Sequence, residues 1–252
     1  PSLEQLELAR VAGRVGIKDS EGALAAIEDY GKRFPEGTYA NDAQQLERAL
    51  LISSGPLKSL SDERKARLSK LLIDAATRGD PLSALEQIAL GGLLLERGKA
   101  REAARAFGQA SMSASKESVR RAAKLGRSRA LRALGDAKLA WAELNSLPAA
   151  DNNRLDVIEE RCQVLRARRK FEEAIKEYVL VLNAIEHEEP QVWWDLAEAL
   201  ARTYVEAKQA RKARKWLEGL RSKDRTFGAD PTRRQRLIKL MREVDLLASR
   251  DG

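Results

Sequence analysis

The sequence predicts an all-α protein built from repeated helical hairpins, and three observations carry that expectation. Ala, Leu, Arg and Glu dominate the 252 residues, and all four favour helix. Val, Ile and Thr are sparse, and no run alternates apolar and polar residues as a half-buried strand does. A small residue followed four positions later by a bulky one recurs at a regular period.

The recurrence is read from alanines that open a second helix. Ala103 is followed by Phe107, Ala140 by Leu144, Ala174 by Tyr178 and Ala213 by Leu217. By subtraction these anchors lie 37, 34 and 39 residues apart, and Ala23 with Ile27 fits near the N-terminus. Nine residues before each anchor stands Leu94, Leu131, Leu165 or Tyr204; twelve before it stands Gly91, Ser128, Cys162 or Ala201. A turn is expected about five before it, at Gly98, Gly135, Arg169 and Lys208. Each unit is thus a helix, a tight turn and a second helix. Small residues serve where antiparallel helices cross, and large ones fill the seam between units.

The periodicity and caps predict helices over 3–17, 20–34, 38–54, 60–78, 81–97, 100–113, 117–134, 137–147, 152–168, 171–186, 190–207, 210–221 and 231–249. Asp80-Pro81 and Asp230-Pro231 each read as an N-cap acceptor before a proline at the first helical position, and Pro190 suits the first turn of its helix. The last helix, PTRRQRLIKLMREVDLLAS, is apolar on one side and basic on the other, as a helix closing a repeat stack should be.

GGLLLERGKAREAARAF and the residue before it give the clearest copy. Leu90, Gly91, Leu94, Gly98, Ala103, Phe107 and Ala110 follow the large, small, large, turn, small, large, small order of the tetratricopeptide repeat (TPR), which the chain resembles. The resemblance is good over 81–222, fair over 1–36 and poor over 37–80; spacings of 37 and 39 depart from the family's usual period. It implies a single domain over 1–252, a right-handed superhelical solenoid of about six TPR-like hairpins with a C-terminal capping helix at 231–249. Within it, 1–80 would form divergent N-terminal hairpins and 81–222 the clearer repeats. Residues 23–46, ALAAIEDYGKRFPEGTYANDAQQL, also resemble bacterial envelope TPR proteins, namely the lipoprotein of the outer-membrane barrel assembly machine and the periplasmic coordinator of the Tol system. That likeness favours the periplasm or cell envelope over the cytoplasm; a generic hairpin-to-hairpin turn explains the same residues.

Composition bounds the function. Net charge is +8, with 12 basic and 13 acidic side chains in residues 1–80 and 34 against 25 beyond them. An acidic partner is therefore expected to meet the C-terminal two-thirds; a solvated face of an Arg-rich helical protein accounts for the same asymmetry. Cys162 is the sole cysteine and His187 the sole histidine, so neither an intrachain disulfide nor a zinc site of the usual ligands is expected. No window is apolar enough to span a membrane. The chain opens Pro1-Ser2-Leu3, which suggests a processed or excised piece.

The chemistry-bearing motifs are few. Cys162 falls at a helix-crossing position with no base expected nearby, and Ser113-Ala114-Ser115-Lys116 matches Ser-x-x-Lys without a companion motif. No enzyme activity and no cofactor are expected. Trp141 and Trp216 read as fillers between units. Of the adjacent Trp193 and Trp194, which point about 100° apart on a helix, one is expected inside and the other is a candidate for partial exposure, with packing of both as the competing reading.

In a TPR-like array the first helices line the concave surface. The alignment places Leu85, Ile88, Gly92 and Leu95 there, followed by Arg129, Arg132, Arg166 and Arg202. An apolar floor suits a helical or extended peptide, and arginine forks suit carboxylates. Gly92, Arg129, Gln163 and Arg202 stand where chaperone-clamping TPR domains repeat an asparagine, so that ligand class is disfavoured. The expected function is a non-enzymatic scaffold binding a protein or peptide with acidic groups. The alternative is a nucleic-acid-binding repeat protein that uses basic segments such as 116–138, with eight basic and two acidic side chains; scarce aromatics for stacking count against it.

Overall fold

The computed structural model describes residues 2–17, 19–185 and 190–248, and their regular structure is helical throughout. The helices are α1 (Leu3–Gly16), α2 (Ser20–Arg33), α3 (Ala40–Ser53), α4 (Asp62–Arg78), α5 (Ala84–Glu96), α6 (Ala100–Ser113), α7 (Glu117–Ala133), α8 (Ala137–Asn145), α9 (Leu155–Ala167), α10 (Phe171–Ile185), α11 (Pro190–Glu206), α12 (Ala210–Lys223) and α13 (Pro231–Ala248). All thirteen expected helices are present, with ends displaced by at most three residues. The chain is an all-α helical repeat protein.

One expected start is wrong. Asp80-Pro81 does not open α5; Ser83 caps it, with its hydroxyl accepting from the Glu86 amide while the Glu86 carboxylate accepts from the Ser83 amide. Two orphan donors satisfied reciprocally outweigh one aspartate acceptor ahead of a proline. The other two starts stand: α13 begins at Pro231, with Asp230 accepting from the Thr232 and Arg233 amides, and α11 begins at Pro190.

The four expected turns share one geometry. Gly98, Gly135, Arg169 and Lys208 all adopt left-handed backbone, with φ of 73°, 83°, 58° and 59°. The residue after each donates its amide to a carbonyl five positions back: Lys99 to Leu94, Asp136 to Leu131, Lys170 to Leu165 and Gln209 to Tyr204. This is the Schellman closure, and its acceptors are the four residues found nine positions before each anchor. Glycine takes this conformation freely, whereas a side chain costs about 1–2 kcal/mol there. Arg169→Gly and Lys208→Gly are therefore each expected to raise stability, by up to about 1 kcal/mol after glycine's extra unfolded-state entropy. A lower urea midpoint for either variant would contradict the strain.

Packing follows the repeat. The anchors Ala23, Ala103, Ala140, Ala174 and Ala213 are fully buried, and the bulky residues four positions on are buried too. The chain divides into two compact units, Pro1–Ala130 and Leu131–Gly252, with the boundary inside α7. In unit 1, the helices α1 to α6 pack in succession, and α3 also touches α5. Val11, Ala23, Ile27 and Leu50 form one small core; Leu51, Leu68, Leu72, Leu90, Leu94 and Phe107 belong to a larger one. In unit 2, α8 to α12 pack in succession, and α13 lies on both α12 and α11. Its core runs from Cys162 through Tyr178, Trp193, Trp194, Leu217 and Phe227 to Leu237 and Val244.

The segment resembling envelope proteins is a hairpin-to-hairpin connection wrapped on α1. The Glu4 carboxylate accepts from the Tyr30 hydroxyl at 2.6 Å and the Tyr39 amide at 3.0 Å. Those two bonds, Tyr30 first, hold Glu4 below the ordinary carboxylate range. A Cβ at Gly37 would stand 2.2 Å from the same carboxylate oxygen. The turn glycine thus lets the chain close over a charged group.

Candidate partner-binding surfaces

The apolar residues expected to line a groove lie on α5 in unit 1. Leu85 is 52% exposed, with no role in the core, while Ile88 and Leu95 are half-buried and pack against it. Gly92, placed with them by the sequence, makes a close approach within the chain. A Cβ there would stand 2.9 Å from a Leu57 methyl, in the short 3-10 turn between α3 and α4. The chain's own leucine takes the space that the glycine leaves.

The arginines fall on α7, α9 and α11. Arg129 is exposed on α7 and makes an interaction of its own. In unit 2, Arg132 forks onto Glu160 at 3.2 and 3.1 Å, and that carboxylate is buried. Arg166 forks onto Glu206 at 3.2 and 2.6 Å and donates to the Gln163 side chain at 3.1 Å. Arg202 reaches Glu198 one turn earlier, at 3.2 and 2.9 Å. Each of these three guanidiniums already holds a carboxylate of its own unit. Sequence spacing put the arginines on first helices but gave no sign of partners 28 and 40 residues away.

Glu198 also accepts from Arg236 of α13, at 2.7 and 2.8 Å, and beside it Arg233 donates to Asp195 at 2.6 Å. Burial pushes the Glu198 carboxyl up, but Arg236 and Arg202 more than offset it, so it titrates below the ordinary range. The first-helix face of the last hairpin is therefore covered by the chain's own basic helix.

The aromatic and sulfur groups belong to packing. Trp193 and Trp194 are both buried, so neither is the partly exposed ring the sequence allowed for. The Trp193 indole donates to the Leu182 carbonyl at 3.0 Å, and Trp194 meets Phe227 edge-on at 6.2 Å. Trp216 donates to the Ala197 carbonyl, and Arg168 stacks over Trp141. The Cys162 thiol is fully buried and pushed up to about 12 by that burial, so it is almost wholly protonated near neutral pH. His187 lies outside the described residues. Among the described residues no three His, Cys, Asp or Glu side chains cluster as metal ligands, and no helix is long and apolar enough to cross a membrane.

No protein-family model matches the sequence, and no curated protein is significantly similar to it. Solved structures do match. A tetratricopeptide repeat protein of Parabacteroides merdae shares 10% identity at a TM-score of 0.61, over 97% of this chain and 93% of that one. The TPR domain of P58(IPK) aligns over 100% and 99% of the two chains at 12% identity, but its TM-score of 0.27 is too low to establish a common fold. At such identities the likeness speaks for architecture: the chain has a TPR-like fold.

Proposed function

We propose that the protein is a non-catalytic interaction scaffold that holds partner proteins on the exposed faces of its first helices. The observation that carries this reading is α13 on α11. There an amphipathic helix lies on the first helix of a hairpin, fixed by Arg233 to Asp195 and Arg236 to Glu198. A partner helix on another first helix would use the same means: an apolar strip with flanking ion pairs. Leu85 offers an exposed apolar anchor on α5, and Arg129, on α7, extends the basic side chains along the first helices. Arg132 and Arg166 already point their forks at carboxylates, the geometry an acidic partner would exploit by sharing or displacing Glu160 or Glu206, whereas Arg202 and Glu198 are taken by α13. The excess of basic groups beyond residue 80 favours acidic partners as well. The resemblance of residues 23–46 to envelope TPR proteins supports a place in bacterial envelope assembly.

The test is affinity capture from the source cell with quantitative mass spectrometry, comparing wild type with Leu85→Glu and with Arg166→Gln. Partners of the α5 face should be depleted about tenfold by the first variant and those of α9 by the second, both variants keeping native far-UV circular dichroism. Identical partner profiles for all three proteins would sink the reading.

A further inference from the structure

Four arginines of unit 2 that hold no carboxylate among the described residues gather at the seam between α12 and α13. Arg221 and Arg225 stand at and just beyond the end of α12, and Arg234 and Arg242 lie two turns apart on α13. All four are exposed and line one cleft of about 370 Å³ whose apolar lining includes the half-buried Ile238 and Met241. No carboxylate among the described residues pairs with any of the four. Elsewhere in the unit Arg132, Arg166, Arg202, Arg233 and Arg236 each hold a carboxylate, and Asp245, which also lines this cleft, is held by Arg214 at 3.4 Å. Four like charges around one depression repel one another, and that repulsion is relieved when an anionic group enters.

We infer that this cleft binds an acidic protein segment, one that lowers an apolar side chain onto Ile238 and Met241 while flanking carboxylates take the arginine forks. Charge complementarity selects the anion, and planar guanidiniums suit carboxylates in pairs. The apolar floor selects a side chain: the cleft lies at the lower end of the range of ligand sites, about 300–1,000 Å³, and methionine adapts to varied apolar shapes. Single-stranded nucleic acid fits less well, because it wants exposed rings to stack on and every aromatic side chain here is buried or half-buried. An anionic bilayer fits less well too, because the apolar groups are recessed between helices rather than raised above them. The site is separate from the first-helix surfaces proposed above, since its residues lie on α12, α13 and the loop between them.

The experiment uses the full chain and an array of short peptides in which Leu, Met or Phe stands between Asp and Glu residues. The strongest binder is then followed by fluorescence anisotropy. Arg225→Glu with Arg234→Glu should weaken it about tenfold or more, and so should Ile238→Ser, which leaves the charge unchanged. Arg225→Lys with Arg234→Lys should fall between, keeping charge but losing the forks. Arg211→Gln, an exposed arginine near the start of α12 and outside the cleft, should bind as wild type does. The inference is overturned if no peptide on the array is retained, or if the cleft variants bind it unchanged. It is also overturned if an oligonucleotide or a phosphatidylserine vesicle binds more tightly than the peptide and is lost with the same variants. Because the four arginines pair with no carboxylate among the described residues, reversing them removes no ion pair there, and circular dichroism confirms folding.

Discussion

Glu86→Ala is expected to destabilise unit 1 by about 3–5 kcal/mol, the range for removing one partner of a buried ion pair. The Arg48 guanidinium, 3% exposed on α3, donates to Glu86 Oε1 at 2.6 Å; Glu86 Oε2 accepts from the Ser83 amide and hydroxyl, both at 2.8 Å. Alanine strands the arginine charge between α3 and α5 and opens the capping box of α5. Glu86→Gln keeps the shape and part of the cap, so it should cost less. Arg48→Met with Glu86→Leu should recover most of the ion-pair loss, because two apolar groups leave no buried charge unpaired, although the cap from Glu86 to Ser83 stays lost. Urea unfolding followed by far-UV circular dichroism measures the series; a loss below about 1 kcal/mol for Glu86→Ala would contradict the burial argument. The pH dependence has a definite sign. Burial raises the Glu86 pKa, but Arg48 and Ser83 more than offset it, and the folded value lies below that of the unfolded chain. On acidification the unfolded state takes the proton first, so the contribution is complete above the ordinary carboxylate pKa, about 4.3, and is lost as pH falls through the depressed folded value.

Phe107 is the second point of large effect. Its ring lies between two glycines: a Cβ at Gly91 on α5 would stand 2.9 Å from it, and one at Gly126 on α7 only 2.3 Å. Phe107→Ala should cost about 3–5 kcal/mol through lost burial and the cavity left behind. Gly126→Ala sets two effects against each other. Helix propensity favours alanine by about 0.5–1 kcal/mol, while forcing a methyl against a buried ring costs about 1–3 kcal/mol. The net expectation is destabilisation, and Phe107→Leu should relieve part of it in the double variant. Gly219 supplies the control: it lies within α12 with nothing within 4 Å of an added Cβ, so Gly219→Ala should stabilise by about 0.5–1 kcal/mol. If Gly126→Ala and Gly219→Ala shift the urea midpoint in the same direction, packing against Phe107 does not decide the matter.

What could be read from the sequence was local or periodic. The turns at Gly98, Gly135, Arg169 and Lys208 were visible because the same register recurs, and the register survives two positions that lack glycine. Buried anchors such as Ala103 and Ala174 were visible because a crossing helix tolerates little else. At the start of α5, Ser83 and Glu86 stand in plain capping-box spacing just past Asp80-Pro81, and that reciprocal cap is the stronger signal of the two. The remaining differences are long-range. Nothing near Gly92 announces Leu57, and nothing near Trp194 announces Phe227, 33 residues later by subtraction. Arginine is equally at home in solvent, in an internal pair or at a binding site, so spacing alone could not separate Arg166 from Arg225.

The placement of the indoles has an optical consequence. Trp141, Trp193, Trp194 and Trp216 all belong to unit 2, and unit 1 contains no tryptophan. Intrinsic emission excited at the red edge therefore watches one half of the chain only, with Trp193 and Trp194 contributing from an interior environment. Ellipticity at helical wavelengths watches both halves. Damage at Glu86 or Phe107 reaches the fluorescence only insofar as the two halves melt together, so the separation of the two traces measures their cooperativity with no added label.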